Sequence, residues 1–405
     1  MIEPGQLLEC ARRWGTPLYV YDGDEVVRHF RALFDFIPYP RLGIHYAMKA
    51  NYNPVLLKML CAAGAGIDAV SPAEVHLALR AGFPKERILL TANNLTDAEF
   101  DEVRSLGVLM NIGSLSRLAK AAERAPGLPV CLRFNPDVVD GDNAMTITAG
   151  ELTKFGILME DLEEALAIVR RGNLRVVGLH EHTGSGLRHT ESVFRSMRRL
   201  MEAATPENFP DLAFLDFGGG FKVPYKPDEE RVDYRAMGRE IADLFRDFCR
   251  GYGRELEMRF EPGKYMVAES GWLLTEVNTI KRNRSRVIAG CDSGFPQLIR
   301  PVLYGAYHRI DNLSNPAGAL QVYDVCGNIC ESGDRFAEQR ELPEVREGDI
   351  LAIANAGAYC YSMGGIYNLR PMPSEVVIEN GVARLVRRAP SHRELAEAVW
   401  REYEA

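Results

Sequence analysis

From about residue 43 to residue 263 the chain alternates eight times between a short β-rich run and an amphipathic helical stretch. The runs are LGIHYAMK, GIDAVS, ILLTANN, VLMNIG, PVCLRFNP, RVVGLHEHTG, LAFLDFGGGF and ELEMRFEPG. Patterns such as PVLLKMLCAAG, PAEVHLALRAG and DYRAMGREIADLFRDFCRGYG separate them, with a longer excursion after the fifth run. The runs are rich in Val, Ile, Leu and Phe, the composition of strands buried on both faces. Glycines in RAGF, SLGV and RRGN punctuate the helix ends, where a left-handed residue closes the last turn. Eight parallel strands with intervening helices are the count of an α/β fold of the (β/α)8 TIM-barrel type. A doubly wound open sheet is the competing arrangement.

After residue 265 the texture changes. WLLTEVNTIKRN, SRVIAGCDSG, LQVYDVCGNIC, DILAIANAGAY and SEVVIENGVARLVRR are strand-like and separated by turn signals. Helical periodicity returns only in HRELAEAVWREYEA. This predicts a second, mostly β domain. PYKPDEER reads as a short charged surface loop.

The net charge of −8 gives no electrostatic reason to expect nucleic acid or an anionic membrane as a partner. No stretch of about 20 apolar residues is present to span a bilayer, and MIEPGQLLECARRWG lacks the build of a secretory signal. The eight cysteines form no CxxC pair, so neither a metal site nor a disulfide framework is indicated. A cytoplasmic location is the expectation.

Active sites of such barrels gather at the C-terminal ends of the strands. That rule collects the chain's unusual residues on one rim. Lys49 ends the first run, and Asp68 lies near the end of the second. His182 and Ser185 follow the sixth, Gly218, Gly219 and Gly220 the seventh, and Glu261, Gly263 and Lys264 the eighth. Each alone has a plainer reading. A lysine at a strand end is usually solvated, a glycine run is usually a turn, and a histidine is often a hydrogen-bonded core residue. Cys330 by default is a small buried hydrophobe. Together they suit one cofactor. Bare glycine N–H groups ahead of a helix cradle phosphate. A lysine amine in a partly desolvated pocket can form a Schiff base. A carboxylate such as Glu261 can hold a pyridine nitrogen protonated. That is the pattern of pyridoxal 5'-phosphate, PLP.

HYAMKAN, GIDAVSPAEV, HEHTGSG, DFGGGF, EPGKYMVAESG, RPVLYGAYH from Arg300, CGNICESGD and NAGAYCYSM occur in that order. On these motifs, and over nearly its whole length, the chain resembles the fold-type III, PLP-dependent amino-acid decarboxylases. The resemblance implies an alanine racemase-like architecture, with a barrel over residues 25–262 and a β domain built from 1–24 and 263–405. It implies that Lys49 binds PLP covalently, that His182 stacks on the ring, and that Glu261 pairs with the ring nitrogen. Ser185, the backbone of Gly218 to Gly220 and Tyr359 would hold the phosphate, with Asp68, Gly263 and Lys264 completing the cofactor site. Arg300 and Tyr304, with Lys264 and Tyr359, would bind the substrate. Cys330 would donate a proton to the substrate carbon, and Glu331 would bind the substrate's far amine. CESGD would enter the site from a second subunit, so a homodimer with shared active sites is implied.

The CESGD motif is that of members acting on meso-diaminopimelate. The implied activity is therefore decarboxylation of that amino acid to L-lysine and CO2, with no nucleic acid or membrane partner. Ornithine, arginine, carboxynorspermidine or a carrier-bound amino acid remain open as substrates. A racemase is disfavoured because its ring nitrogen usually faces arginine rather than a carboxylate, and a silent PLP carrier because Cys330 and the substrate set are present. Two departures stand out. Lys264 takes the place of an arginine in EPGK, keeping the charge but losing the planar fork. SMGGIYNLRP stands where SMSSNYNSRP is commoner.

Overall fold

The computed structural model describes residues 2–404 except 140–144, 146–147, 152 and 185–189. The eight strands are Leu42–Ala47, Gly66–Ala69, Ile88–Leu90, Leu109–Ile112, Pro129–Asn135, Arg175–His180, Phe214–Asp216 and Glu257–Phe260. Each pairs in parallel with the next. The last returns to the first, with Met258 opposite Leu42 and Phe260 opposite Ile44. The sheet is thus a closed barrel, and the open-sheet alternative falls. Closure leaves no barrel strand with an unpaired edge. Leu89, Cys131 and Phe214, from three different strands, pack together in the core.

Local chemistry starts each helix shortly after its strand. Asn53 accepts from the Val55 N–H with Pro54 in the first turn, and Ser71 accepts from the Glu74 N–H ahead of Pro72. Thr96 and Glu99 form a reciprocal capping box. Gly82 (φ 104°) and Gly107 (φ 70°) close their helices in the left-handed region, as the sequence suggests. In RRGN the left-handed residue is instead Asn173 (φ 49°), while Gly172 stays right-handed at φ −87°. Asparagine tolerates that region better than other side chains do, which moves the stop by one residue.

The chain divides into two compact units, one of residues 27–223 and 231–265, the other of 1–26, 224–230 and 266–405. In the second unit, Leu18–Asp22 lies between Gly271–Asn283, antiparallel, and Ser374–Glu379, parallel. Seven strands run in a row from Arg335–Pro343 to Val382–Arg387, and Ile310–Asn312 and Ile350–Ile353 complete a nine-stranded sheet. Leu18, Val20, Trp272, Leu274, Val376 and Ile378 form its core with Leu7 and Cys10 of the helix Pro4–Trp14. Among the described residues no helix is long and apolar enough to cross a membrane.

PYKPDEER is more than a surface loop. Its first residues belong to the β unit, where the Pro224 carbonyl accepts a 2.9 Å hydrogen bond from Asn355 Nδ2. The Tyr225 ring meets His308 edge-on at 5.2 Å. From Lys226 to Arg231 the segment is exposed except at the half-buried Glu229. The proline and tyrosine have apolar surface to bury, and the charges do not.

Candidate active site

Lys49 sits in a one-turn 3-10 helix, Met48–Ala50, at the end of the first strand. Its Nζ forms an ion pair with the wholly buried Asp68 of the second strand. The lysine side chain is 37% exposed. The sequence suggested a desolvated amine, whereas the structure gives an amine with a carboxylate partner and a way out to solvent. Beside this pair, Glu74 Oε2 accepts from the Val70 N–H at 2.8 Å. Burial pushes the Glu74 carboxyl up to about 7, against the pull of Lys49.

The loop after the seventh strand is pressed against the ends of its neighbours. Gly218 N–H donates to Asp216 Oδ1 at 2.9 Å, and the Gly218 carbonyl accepts from Glu261 N–H at 2.7 Å. Gly219 N–H donates to His182 Nδ1 at 3.2 Å. Because that nitrogen accepts, the proton of the neutral ring sits on Nε2. Burial, with Arg133 and Lys49 nearby, holds His182 well below the usual histidine range and so neutral. Gly218 has φ +64°, and a Cβ on Gly219 would lie 2.5 Å from the Glu261 carbonyl oxygen. Only bare backbone fits here, as a close approach to phosphate requires.

Glu261 is 5% exposed. Its Oε2 is 3.0 Å from His180 Nε2. Its Oε1, equally buried, has no hydrogen-bond partner among the described residues. Desolvation, then the nearby Asp68, push the Glu261 carboxyl up to about 8. Asp216 is likewise raised to about 8, by burial and then by Glu261. Among the described residues, His180, Asp216 and Glu261 are the one acid–histidine grouping compact enough to hold an ion, their ligand atoms lying within 4.8 Å of one another. Arg133 of the fifth strand is also buried, stacks over Phe155 at 4.7 Å, and leaves Nη2 without a described partner. Glu74, Arg133, His180 and Asp216 were all passed over in the sequence. Arg133 carried a signal, a cation inside the apolar run PVCLRFNP, much as Lys49 did. Gly263 is buried and Lys264 half-buried at the start of the helix Lys264–Val267. Ser185 lies outside the described residues.

The β unit carries a second grouping. Arg300 opens the short helix Arg300–Tyr304 and is 8% exposed. Its guanidinium lies 4.8 Å from the Tyr225 ring centre and 5.8 Å from that of Tyr304. Tyr359 is half-buried, with a left-handed backbone at φ 55°. Cys330 and Glu331 stand exposed on the loop between Leu320–Cys326 and Arg335–Pro343. The default reading of Cys330 as a buried hydrophobe therefore fails. Asp334 anchors this loop by accepting from Ile329 N–H at 2.8 Å and Phe295 N–H at 2.6 Å. Tyr367 Oη donates to Glu331 Oε1 at 2.8 Å, and Asn368 Oδ1 accepts from Cys330 N–H at 3.0 Å. In SMGGIYNLRP the residues that touch CESGD are thus Tyr367 and Asn368, which the commoner sequence shares, and not the substituted glycines.

The family described as pyridoxal-dependent decarboxylase, pyridoxal binding domain, matches residues 23–268. The diaminopimelate decarboxylase of Methanothermobacter thermautotrophicus is 41% identical over 98% of this chain and 94% of its own length. That of Escherichia coli is 36% identical over 96% of this chain and 95% of its own. Among solved structures, a diaminopimelate decarboxylase superposes with a TM-score of 0.89 at 34% identity, covering 98% of this chain and 96% of that one. The Helicobacter pylori enzyme complexed with L-lysine gives 0.89 at 28% identity, over 98% of this chain and all of the other.

Proposed function

The chain belongs to the diaminopimelate decarboxylase family of pyridoxal-dependent decarboxylases, and from that premise we propose how its residues divide the work of converting meso-diaminopimelate to L-lysine and CO2. The observation that carries the proposal is Glu261 Oε1. A buried acceptor without a partner is costly, and this one stands beside a glycine loop fit for phosphate. A phosphorylated pyridine satisfies both needs, so the residues present fit PLP.

Lys49 would hold the cofactor through Nζ and would be the amine that substrate and product exchange with. The backbone around Gly218 to Gly220, through the Gly220 N–H, takes the phosphate with Ser185 and Tyr359, the Gly218 and Gly219 N–H groups being engaged by Asp216 and His182. His182, fixed by the Gly219 N–H, faces the ring. Glu261 accepts the ring N–H through Oε1 and keeps that nitrogen positive. Asp68, Gly263 and Lys264 complete the surround. Bound PLP supplies an electron sink for the pair left on Cα as CO2 departs. The Cys330 thiol then gives its proton to Cα and regains one from solvent. Glu331 takes the far ammonium, and Arg300, with Tyr304, Tyr359 and Lys264, takes the far carboxylate. The Tyr367 phenol supports this by holding Glu331 in one orientation.

We place Cys330 and Glu331 in the site of a second copy, making the working form a homodimer. Their exposure supports this, as do Val302, Leu303, Ile366 and Leu369, apolar side chains that the same unit leaves exposed. Eight free cysteines support a reducing compartment, the cytoplasm. The test is CO2 release from the PLP-loaded protein offered a panel of amino acids. Meso-diaminopimelate should be turned over best. Preference for ornithine, arginine, lysine or carboxynorspermidine would leave only the decarboxylase class standing.

A further inference from the structure

Glu261 must do two things at once to serve a protonated ring nitrogen. It must be ionised, although it is 5% exposed and shares its surroundings with the buried Asp216 and Asp68. It must also present one particular oxygen. Burial and then Asp68 favour the neutral acid, against the pull of Lys49, Arg133 and Arg259, and that acid's proton would rest on either oxygen. Something has to hold the charge and choose the oxygen.

His180 is the group in contact. It ends the sixth strand, is wholly buried, and lies 3.0 Å from Oε2 through Nε2. Its backbone pairs with Asp216 of the next strand, and the Asp216 carbonyl accepts from Glu181 N–H at 2.9 Å. The ring therefore springs from a fixed point. Burial keeps the imidazole neutral, its pKa lowered to about 4. A neutral imidazole has one N–H. Placed on Nε2, that N–H donates to Oε2 and stabilises the carboxylate. Placed on Nδ1, it has no described acceptor, since Nδ1 is without a partner. The Nε2–H tautomer therefore makes the hydrogen bond that favours ionised Glu261. The same three groups could hold a cation only by giving up this bond.

We propose that His180 is the positioning residue of the ring-nitrogen carboxylate: its Nε2–H binds Glu261 Oε2, holds the group ionised, and leaves Oε1 as the acceptor for the cofactor. The proposal rests on the reading that Glu261 faces the ring nitrogen. It assigns His180 a role distinct from that of His182, two residues away.

The test uses the whole protein reconstituted with PLP labelled with ¹⁵N in the ring, where the nitrogen chemical shift reports protonation directly. His180→Gln keeps an amide N–H near the position of Nε2. His180→Asn puts its amide near Nδ1, and His180→Leu has no donor. Leu and Asn should lose the protonated-nitrogen signal and lower kcat by about 10- to 100-fold, the worth of one hydrogen bond to a charged group, with KM within about two-fold of wild type. Gln should recover most of both. Should His180→Leu not fold, the Gln and Asn pair decides alone. A protonated signal and wild-type kcat in the Asn variant would overturn the proposal. Glu261→Gln separates the two readings. If it leaves the ring signal unchanged, Glu261 is not the partner. If it abolishes the signal while His180→Asn does not, only the role of His180 falls.

Discussion

Gly219→Ala tests whether the glycine loop is a cradle built to contact tolerance. The added Cβ would sit 2.5 Å from the Glu261 carbonyl oxygen and 3.3 Å from its carbon, against 3.4–4 Å for an ordinary contact. Neither side can retreat cheaply. Gly219 is tied to His182 through its N–H, and the Glu261 N–H is tied to the Gly218 carbonyl. Overpacking of this kind costs about 1–3 kcal/mol. The strain relaxes by pushing the loop outward, away from where its amides meet phosphate. Losing one hydrogen bond to a charged group costs about 1.5–3 kcal/mol, or roughly 10- to 150-fold in Kd. The apo protein should therefore melt a few degrees lower and bind PLP about 10- to 100-fold more weakly, measured by absorbance titration. Gly251→Ala is the control. It lies in the helix Tyr234–Tyr252 with nothing within 4 Å of the new Cβ, so it should be neutral or stabilising by up to about 1 kcal/mol. If Gly219→Ala binds PLP as tightly as wild type at an unchanged melting temperature, the loop is a turn and nothing more.

Lys49→Ala should lose the absorbance of covalently held PLP and nearly all turnover, and borohydride treatment of the wild type should leave the pyridoxyl group on Lys49 when mapped by mass spectrometry. Mixing inactive Lys49→Ala with inactive Cys330→Ala chains should restore part of the activity, because a mixed dimer holds one site with both residues; no recovery despite proven subunit exchange refutes shared sites. Burial raises the Glu181 carboxyl to about 8, above the 4.5 of an exposed glutamate. The unfolded chain therefore releases this proton first, and stability falls as pH rises between those values. Glu181→Gln removes that penalty, so its melting temperature should gain on wild type from pH 5 to pH 8 and then level off; a gap that does not vary with pH refutes the burial argument.

The barrel was legible because strands buried on both faces write themselves as apolar runs, and eight runs between helices leave few arrangements. Closure was not legible. It depends on the register of Met258 against Leu42, residues far apart in the chain, and no local pattern encodes that pairing. PYKPDEER was legible only in part, for a related reason. Its composition is that of a loop, but Pro224 and Tyr225 have partners more than 80 positions away. In the candidate site, Lys49 and Glu261 stand out because a charge at the end of an apolar run demands a reason. His180 and Asp216 do not, because each lies inside such a run and looks like one more strand residue. Their meaning comes from the barrel's curvature, which turns the ends of the sixth, seventh and eighth strands toward one another. Tyr367 was illegible as a support for Glu331 because the two are joined by a hydrogen bond across 36 positions of chain.

The two units set different chemical problems, and their residues are distributed accordingly. Stabilising an electron pair on Cα is the same task for any amino acid losing CO2. The groups assigned to it here, from Lys49 to Glu261, grow from barrel strand ends, tied by backbone hydrogen bonds that leave no room even for a methyl group at Gly219. Telling one amino acid from another is a task for the far end of the substrate. Glu331, the group assigned to the far ammonium, stands on a loop of the β unit that is held by side chains: Asp334 beneath the CESGD loop, Tyr367 and Asn368 beside it. A side-chain contact can be exchanged by substitution without redrawing a sheet, whereas a strand end cannot move without its neighbours. Of the two departures from the commoner family sequence, Lys264 lies just past a barrel strand end and exchanges one cation for another, while SMGGIYNLRP lies in the β unit. The glycines, isoleucine and leucine of SMGGIYNLRP are changed while Tyr367 and Asn368, which hold the loop, are kept. In that stretch the chain keeps the two side chains that hold Glu331 and its loop in place.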